Sequence, residues 1–392
     1  MEKYWESIRS KPLITSDEIE DALKFSCDQI LNYLPEFTDK FQNAYSENGF
    51  YAPIDNVQWT NGFWTGEIWL AYENCGDNRL KEAAEIHIES YYQRIINKIS
   101  VDHHDMGFLY SPSCVAGYKL IGSELGKKAA LLAADQLISR FHDKGNFIQA
   151  WGSMNEPDNY RLIIDCLLNL PLLYWASEVT GDTKYSDIAD KHTHTTLANV
   201  IREDYSTWHT FYFNMETGEP ERGSTCQGYR DGSAWARGQA WGIYGTALGY
   251  KYTGRAEYME QFEHVADYYL RHLPTDLIPY WDLEFTSGVD QPRDSSSASI
   301  AACGMLEMAK YMEDDKADYY IDIAKRFLKS LYDNYAVKDH KTSNGLVLHS
   351  TYSNSSPYNT CNHYGVDECN SWGDYFYMEA LTRLSKDWNV YW

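Results

Sequence analysis

Two aspartates carry the first chemical signal. Asp165 stands in the apolar run Arg161-Leu-Ile-Ile-Asp165-Cys-Leu-Leu-Asn-Leu-Pro, and Asp105 in Asp102-His-His-Asp105-Met-Gly-Phe. A carboxylate set among apolar neighbours needs a partner or a shifted pKa. A buried cap or salt bridge would serve Asp165, and a plain turn would explain Asp105 alone. Brought together at one end of a scaffold, the two could instead divide acid and base roles, as paired carboxylates do in glycoside cleavage. At a spacing of ~5 Å and an effective dielectric of ~20, their repulsion is roughly 3 kcal/mol. That exceeds the ~0.3–1 kcal/mol by which a helix dipole favours the ionised form, so one carboxyl is expected to stay protonated at neutral pH. His103 and His104 lie beside Asp105, but the trio lacks metal-ligand spacing, and His194 falls on a different, surface helix. Neither metal nor cofactor is expected.

A second constellation lies at Gly223–Trp241, GSTCQGYRDGSAWARGQAW. Arg237 and Trp241 are i and i+4 at a helix start, hence on one face. A guanidinium fork beside an indole suits a carboxylate attached to a ring. An Arg that merely caps a surface helix would not need Trp235 and Trp241 around it. The chain also holds 13 Trp, 33 Tyr and 14 Phe. Rings with polar tips suit the half-wet walls of a sugar cleft, and equally a large Tyr-rich core.

Helices must position these groups. A short turn phrase recurs at Cys75-Gly76-Asp77, Leu125-Gly126-Lys127, Thr180-Gly181-Asp182 and Thr253-Gly254-Arg255, with a degenerate copy at Glu313-Asp314-Asp315. Gly after a helix reads as a left-handed cap. Apolar helices are predicted before the phrases at 65–74, 111–124, 160–179, 237–252 and 296–312, with a last one at 372–384. Amphipathic helices are predicted at 16–34, 79–98, 127–142, 183–202, 255–272 and 317–334. Alternation at a period of roughly 50–70 residues is the mark of units that share one core. Short connections make neighbours antiparallel. The fold expected is all-α, an (α/α)6 barrel of six inner and six outer helices in a single domain over residues 1–392. The inner helices then start at one end, which gathers the long loops 35–64, 99–110, 143–159, 203–236, 273–295 and 335–371 there. Loops on a rigid scaffold are where function concentrates.

Composition narrows the partners. With 34 Lys and Arg against 57 Asp and Glu, the net charge is −23. That disfavours nucleic acid, which needs clustered cations. A local Arg can still serve a small anion, because exposed charges are screened beyond ~8 Å. No apolar run approaches the ~20 residues of a membrane span. The stretch Met1-Glu2-Lys3-Tyr4-Trp5-Glu6 has no basic or apolar leader character, so a cytoplasmic monomer or dimer is expected. The eight cysteines form no C-x-x-C pair and read as reduced thiols.

Four blocks carry a resemblance: WTNGFWTGE at 59–67, HHDMGFLYSPS at 103–113, LIIDCLLNLPLLYWA at 162–176 and GYRDGSAWARGQAWGIYG at 228–245. From about residue 50 to 385 the chain resembles the unsaturated glucuronyl hydrolases of glycoside hydrolase family 88. The resemblance implies an (α/α)6 barrel. It also implies removal of the 4,5-unsaturated glucuronic acid from the non-reducing end of lyase-generated glycosaminoglycan oligosaccharides, by hydration of the C4=C5 vinyl ether. It implies that Asp165 is the general acid/base and Asp105 the second essential aspartate. Trp59, His104, Trp151, His209, Gln227, Arg237 and Trp241 would line the subsite for the unsaturated sugar. Relatives that prefer sulfated disaccharides carry a motif resembling Ser-x-x-Ser-x-Lys. Here Ser353, Ser356 and Tyr358 occupy those places, with Tyr where the Lys would lie. Two alternatives remain: an unsaturated rhamnogalacturonyl hydrolase of family 105, which the 227–241 block disfavours, and a non-catalytic sugar-binding toroid.

Overall fold

The structure is a computed structural model and describes residues 8–392. The Met1–Glu6 stretch lies outside the described residues. In chain order the elements begin with α1 (Ser16–Phe37), β1 (Phe41–Gln42), β2 (Pro53–Ile54), α2 (Asn61–Cys75) and α3 (Asn78–Ile96). Next come α4 (Met106–Tyr110), a π-helical turn at Ser111–Val115, α5 (Ala116–Ile121), α6 (Glu124–Ile138), β3 (Phe141–His142) and β4 (Phe147–Ile148). The middle holds β5 (Arg161–Ile163), α7 (Cys166–Asn169), α8 (Pro171–Thr180), α9 (Lys184–Val200), β6 (Thr210–Phe213) and β7 (Pro220–Ser224). The rest comprises α10 (Ala236–Thr253), α11 (Ala256–Arg271), α12 (Ser295–Ala309), α13 (Asp314–Asn334), β8 (Ser350–Ser353), β9 (Tyr364–Glu368) and α14 (Ser371–Ser385).

The apolar helices close on one another. α2 packs on the α4 stretch, α4 on α7 and α8, these on α10, α10 on α12, α12 on α14, and α14 back on α2. The amphipathic helices lie outside: α1 on α2 and α14, α3 on α2, α6 on α3 and α8, α9 on α8, α11 on α10, α13 on α12. Sequence pattern decides the layer. Every residue of α12 is buried, whereas α11 buries one stripe of Tyr258, Phe262, Val265, Ala266, Tyr269 and Leu270. Among the described residues, no helix is long and apolar enough to cross a membrane.

The predicted helix at 160–179 is corrected. Arg161–Ile163 pairs as a strand with Thr210–Tyr212, and Asp165 sits at the boundary before α7 rather than one turn inside a helix. The loops add further hairpins, β1–β2, β3–β4 and β8–β9, so the molecule is mostly helical rather than all-α. Gly126 caps nothing. Gly122 is the left-handed cap of α5, and Gly126 lies in the first turn of α6, where its N–H donates to Ser123 Oγ at 3.1 Å. Helical structure also starts earlier than expected, at Met106, and α1 runs through Pro35 to Phe37.

One close approach sets the geometry of the site. A Cβ at Gly107 would lie 2.3 Å from the Asn169 Cα, so α4 and α7 touch backbone to backbone. The Phe108 N–H donates to Asn169 Oδ1 at 2.8 Å and fixes the register of that contact. Gly107→Ala is expected to destabilise the fold by about 1–3 kcal/mol through overpacking. A lowered urea midpoint checks this, and an unchanged midpoint would mean the helices can separate freely.

Candidate active site

The ring brings helix starts to one end. Asp105 is the residue before α4, Asp165 before α7, Trp235 before α10, Asp294 before α12 and Asn370 before α14. Aspartate there ordinarily caps its own helix. None of these three does so, which leaves their carboxylates for tertiary partners.

His104, Asp105 and Asp165 converge, each offering a donor atom within 4.8 Å of the others. His104 Nε2 stands 3.3 Å from Asp105 Oδ1 and 3.5 Å from Asp165 Oδ1. His103 Nδ1 stands 3.0 Å from Asp105 Oδ2. The two carboxyls therefore sit in unequal surroundings. Burial raises Asp165 well above the usual carboxylate range, and Asp105 pushes the same way, against an opposing pull from Arg237. Its Oδ1 is buried without a hydrogen-bond partner, a poor setting for an anion. Burial would raise Asp105 too, but His104, His103 and Arg94 outweigh it and hold it below the ordinary value. His104 is itself lowered to about 4 by burial, so it pulls on Asp105 as a cation only in acid and is a neutral neighbour at pH 7. The arrangement is a pair of carboxyls pushed in opposite directions, Asp165 toward its acid form and Asp105 toward its carboxylate. The same three donors could also surround one small cation.

A cleft of about 520 Å³ opens beside Asp105. Of the residues singled out from sequence, Trp59, Asp105 and Trp151 line it, with His103, weighed there only as a metal ligand; they are joined by Tyr45, Tyr352 and Tyr364, which sequence reasoning missed. Tyr352 carried no local signal, since its place depends on a long-range contact. The Trp59 indole N–H donates to the Tyr352 hydroxyl at 2.9 Å, and its ring stacks on Trp372 at 5.4 Å. Trp151 is 42% exposed and faces His104.

Arg237 departs from the expected role. It is buried, and all four terminal N–H groups are used. Nη1 donates to Asp294 Oδ2 at 2.7 Å and Thr351 O at 2.6 Å, and Nη2 to Gln227 Oε1 and Tyr352 O, both at 2.7 Å. A carboxylate would reach those groups only by displacing Gln227. Trp241 is also corrected: it is 1% exposed and packs in the core against Phe108 and Phe376. His209 is buried, lowered to about 3 chiefly by burial, and its Nδ1 accepts the Cys226 N–H at 2.8 Å. Ser353 Oγ donates to Asn362 O and Ser356 Oγ to Tyr229 O, whereas Tyr358 is largely exposed beside Tyr229.

The comparisons with known proteins agree with this geometry. The model of Glycosyl Hydrolase Family 88 matches residues 33–385. The chain belongs to that family. It is 46% identical to the unsaturated chondroitin disaccharide hydrolase of Streptococcus pyogenes serotype M1, over 100% of this chain and 97% of that protein. A crystal structure of unsaturated glucuronyl hydrolase from Streptococcus agalactiae superposes with a TM-score of 0.95 at 45% identity, covering 99% of this chain and 96% of that one. A mutant of that hydrolase complexed with dGlcA-GalNAc6S superposes at 0.87 with 42% identity and the same coverage.

The upward shift of Asp165 has a stability signature. A raised carboxyl makes the folded state hold its proton longer than the unfolded chain. The favourable contribution is complete below the unfolded value and is lost as pH rises through the folded one. Asp165→Asn is therefore expected to melt above the wild type by a margin that is absent near pH ~4 and grows with pH. Thermal melts of the two proteins across that range check it, and a pH-independent difference would show that Asp165 is not perturbed.

Proposed function

We propose that this protein hydrolyses unsaturated glycosaminoglycan disaccharides of the chondroitin and hyaluronan type, releasing the 4,5-unsaturated glucuronic acid from the non-reducing end. The observation that carries the reading is the convergence of His104, Asp105 and Asp165 within 4.8 Å beside an aromatic-walled cleft that Asp105 lines, with Asp165 pushed toward its acid form and Asp105 toward its carboxylate. Relatives named as unsaturated chondroitin disaccharide hydrolases support it over a pectin substrate. The ring of helix contacts supports a single catalytic domain built as an (α/α)6 barrel, with inner helices α2, α4–α5, α7–α8, α10, α12 and α14.

The chemistry follows from the pair. Asp165 transfers its proton to C4, the C4=C5 electrons form the new C–H bond, and positive charge develops at C5 and the ring oxygen. The Asp105 carboxylate stabilises that charge. Asp165, now ionised, takes a proton from water as the oxygen bonds to C5. The product is a hemiketal at C5, which opens at the ring oxygen and lets C1 expel the partner sugar. No glycosyl-enzyme forms, so carboxylate spacing does not dictate stereochemistry here. Trp59 and Trp151, which line the cleft, supply ring faces for the sugar.

Loss of the conjugated alkene's ultraviolet absorbance reads the reaction directly. Asp165→Asn is expected to abolish turnover with affinity kept within about tenfold, because the amide preserves shape but has no proton to give. Near-normal turnover would remove Asp165 from the acid role.

Sulfate preference turns on the loop at 353–358. Tyr358 offers a hydroxyl and a ring but no cation. A charge-assisted bond is worth roughly 1.5–3 kcal/mol. The unsulfated disaccharide is thus expected to be cleaved at least as well as its 6-sulfated counterpart. Measured kcat/KM for the matched pair decides it, and a strong preference for the sulfated sugar would contradict the loop argument.

A further inference from the structure

The sheet beside the cleft carries an ordered row of rings and cations. Arg161 of β5 is the direct partner of Tyr212 of β6, and Tyr212 is the direct partner of Arg222 of β7. Directly opposed residues share one face of a sheet, so the three side chains stand in line. The Arg161 guanidinium lies 4.6 Å from the Trp151 ring and 5.7 Å from the Tyr212 ring, and that of Arg222 lies 4.0 Å from the Tyr212 ring on its other flank. Trp151, at the inner end, lines the catalytic cleft. Arg222, at the outer end, is exposed on an edge strand.

The charge of this row is unusual for the molecule. Among the described residues, Arg161 is held only through Nη1, by Asp158 O and Asn159 Oδ1, and Arg222 has a ring contact but no ion pair. Two guanidinium groups without carboxylate partners, in a chain of net charge −23, mark a place where an anion is wanted. Each guanidinium lies over a ring, and the N–H groups not already bonded remain for a carboxylate while ring area remains for sugar C–H faces.

We propose that Trp151, Arg161, Tyr212 and Arg222 form an extension subsite for the third and fourth sugars of an anionic oligosaccharide whose unsaturated end occupies the cleft. Continuity with the cleft through Trp151 and charge complementarity to a uronate-bearing chain carry the inference, which rests on the function proposed above. The row recognises the uronate of the next repeat, so chain length adds affinity without adding chemistry at the scissile end.

The test compares kcat/KM for unsaturated hyaluronan tetrasaccharide and disaccharide, in wild type and in Arg222→Gln. Arg222 is exposed on an edge strand, so the variant keeps the fold. The wild type is expected to favour the tetrasaccharide, and the tetrasaccharide-to-disaccharide ratio is expected to fall about two- to fivefold in the variant. Raising the salt concentration should lower the wild-type ratio as well, since an exposed charge contact is screened. A ratio unchanged by both the substitution and salt overturns the subsite while leaving disaccharide hydrolysis standing. A wild type that cleaves neither sugar takes down the functional reading and the subsite together.

Discussion

Two carboxyl groups whose oxygens lie within 4.8 Å of one another cannot both ionise cheaply in a buried floor, and this constraint organises the rest of the structure. The protein resolves it by asymmetry. Asp105 receives His103 and His104 as neighbours, whereas Asp165 Oδ1 is left without a hydrogen-bond partner. Proximity depends in turn on α4 and α7 meeting where only hydrogen fits on Gly107. The acid is made by helix packing as much as by its own residue type.

Arg237 shows how a functional-looking residue serves a structural end. Its guanidinium ties α10 to Asp294 before α12, to the backbone of β8 and to Gln227. Holding Thr351 and Tyr352 places the Tyr352 hydroxyl under the Trp59 indole, and the Ser296 hydroxyl, which donates to Asp294, also accepts the Trp372 N–H beneath Trp59. The cleft wall thus hangs on one buried ion pair. Truncating one side of such a pair leaves a charge buried alone, a far larger loss than the net worth of the contact.

How much of this was readable in the sequence follows from which interactions are local. Gly76, Gly181 and Gly254 were found as caps because a left-handed residue after an apolar helix is a local requirement. The start of α12 and most of α14 were found because small and aromatic residues dominate them, with Ser, Ala and Gly in α12 and Trp, Tyr and Phe in α14. The strand at Arg161–Ile163 was missed because its partner is Thr210–Tyr212, and pairing across that separation leaves no periodic mark in a three-residue run. Asp165 and Asp105 were visible as carboxylates in unusual company, and their resemblance to family 88 assigned them roles. Their proximity, the core position of Trp241 and the saturation of Arg237 are tertiary facts without a local signature.

Infrared difference spectroscopy of the wild type against Asp165→Asn at neutral pH tests the central claim most directly. A neutral carboxylic acid band present in the wild type and missing in the variant is the result this account requires. Carboxylate bands alone, with Asp165 titrating in the ordinary carboxylate range, would contradict it.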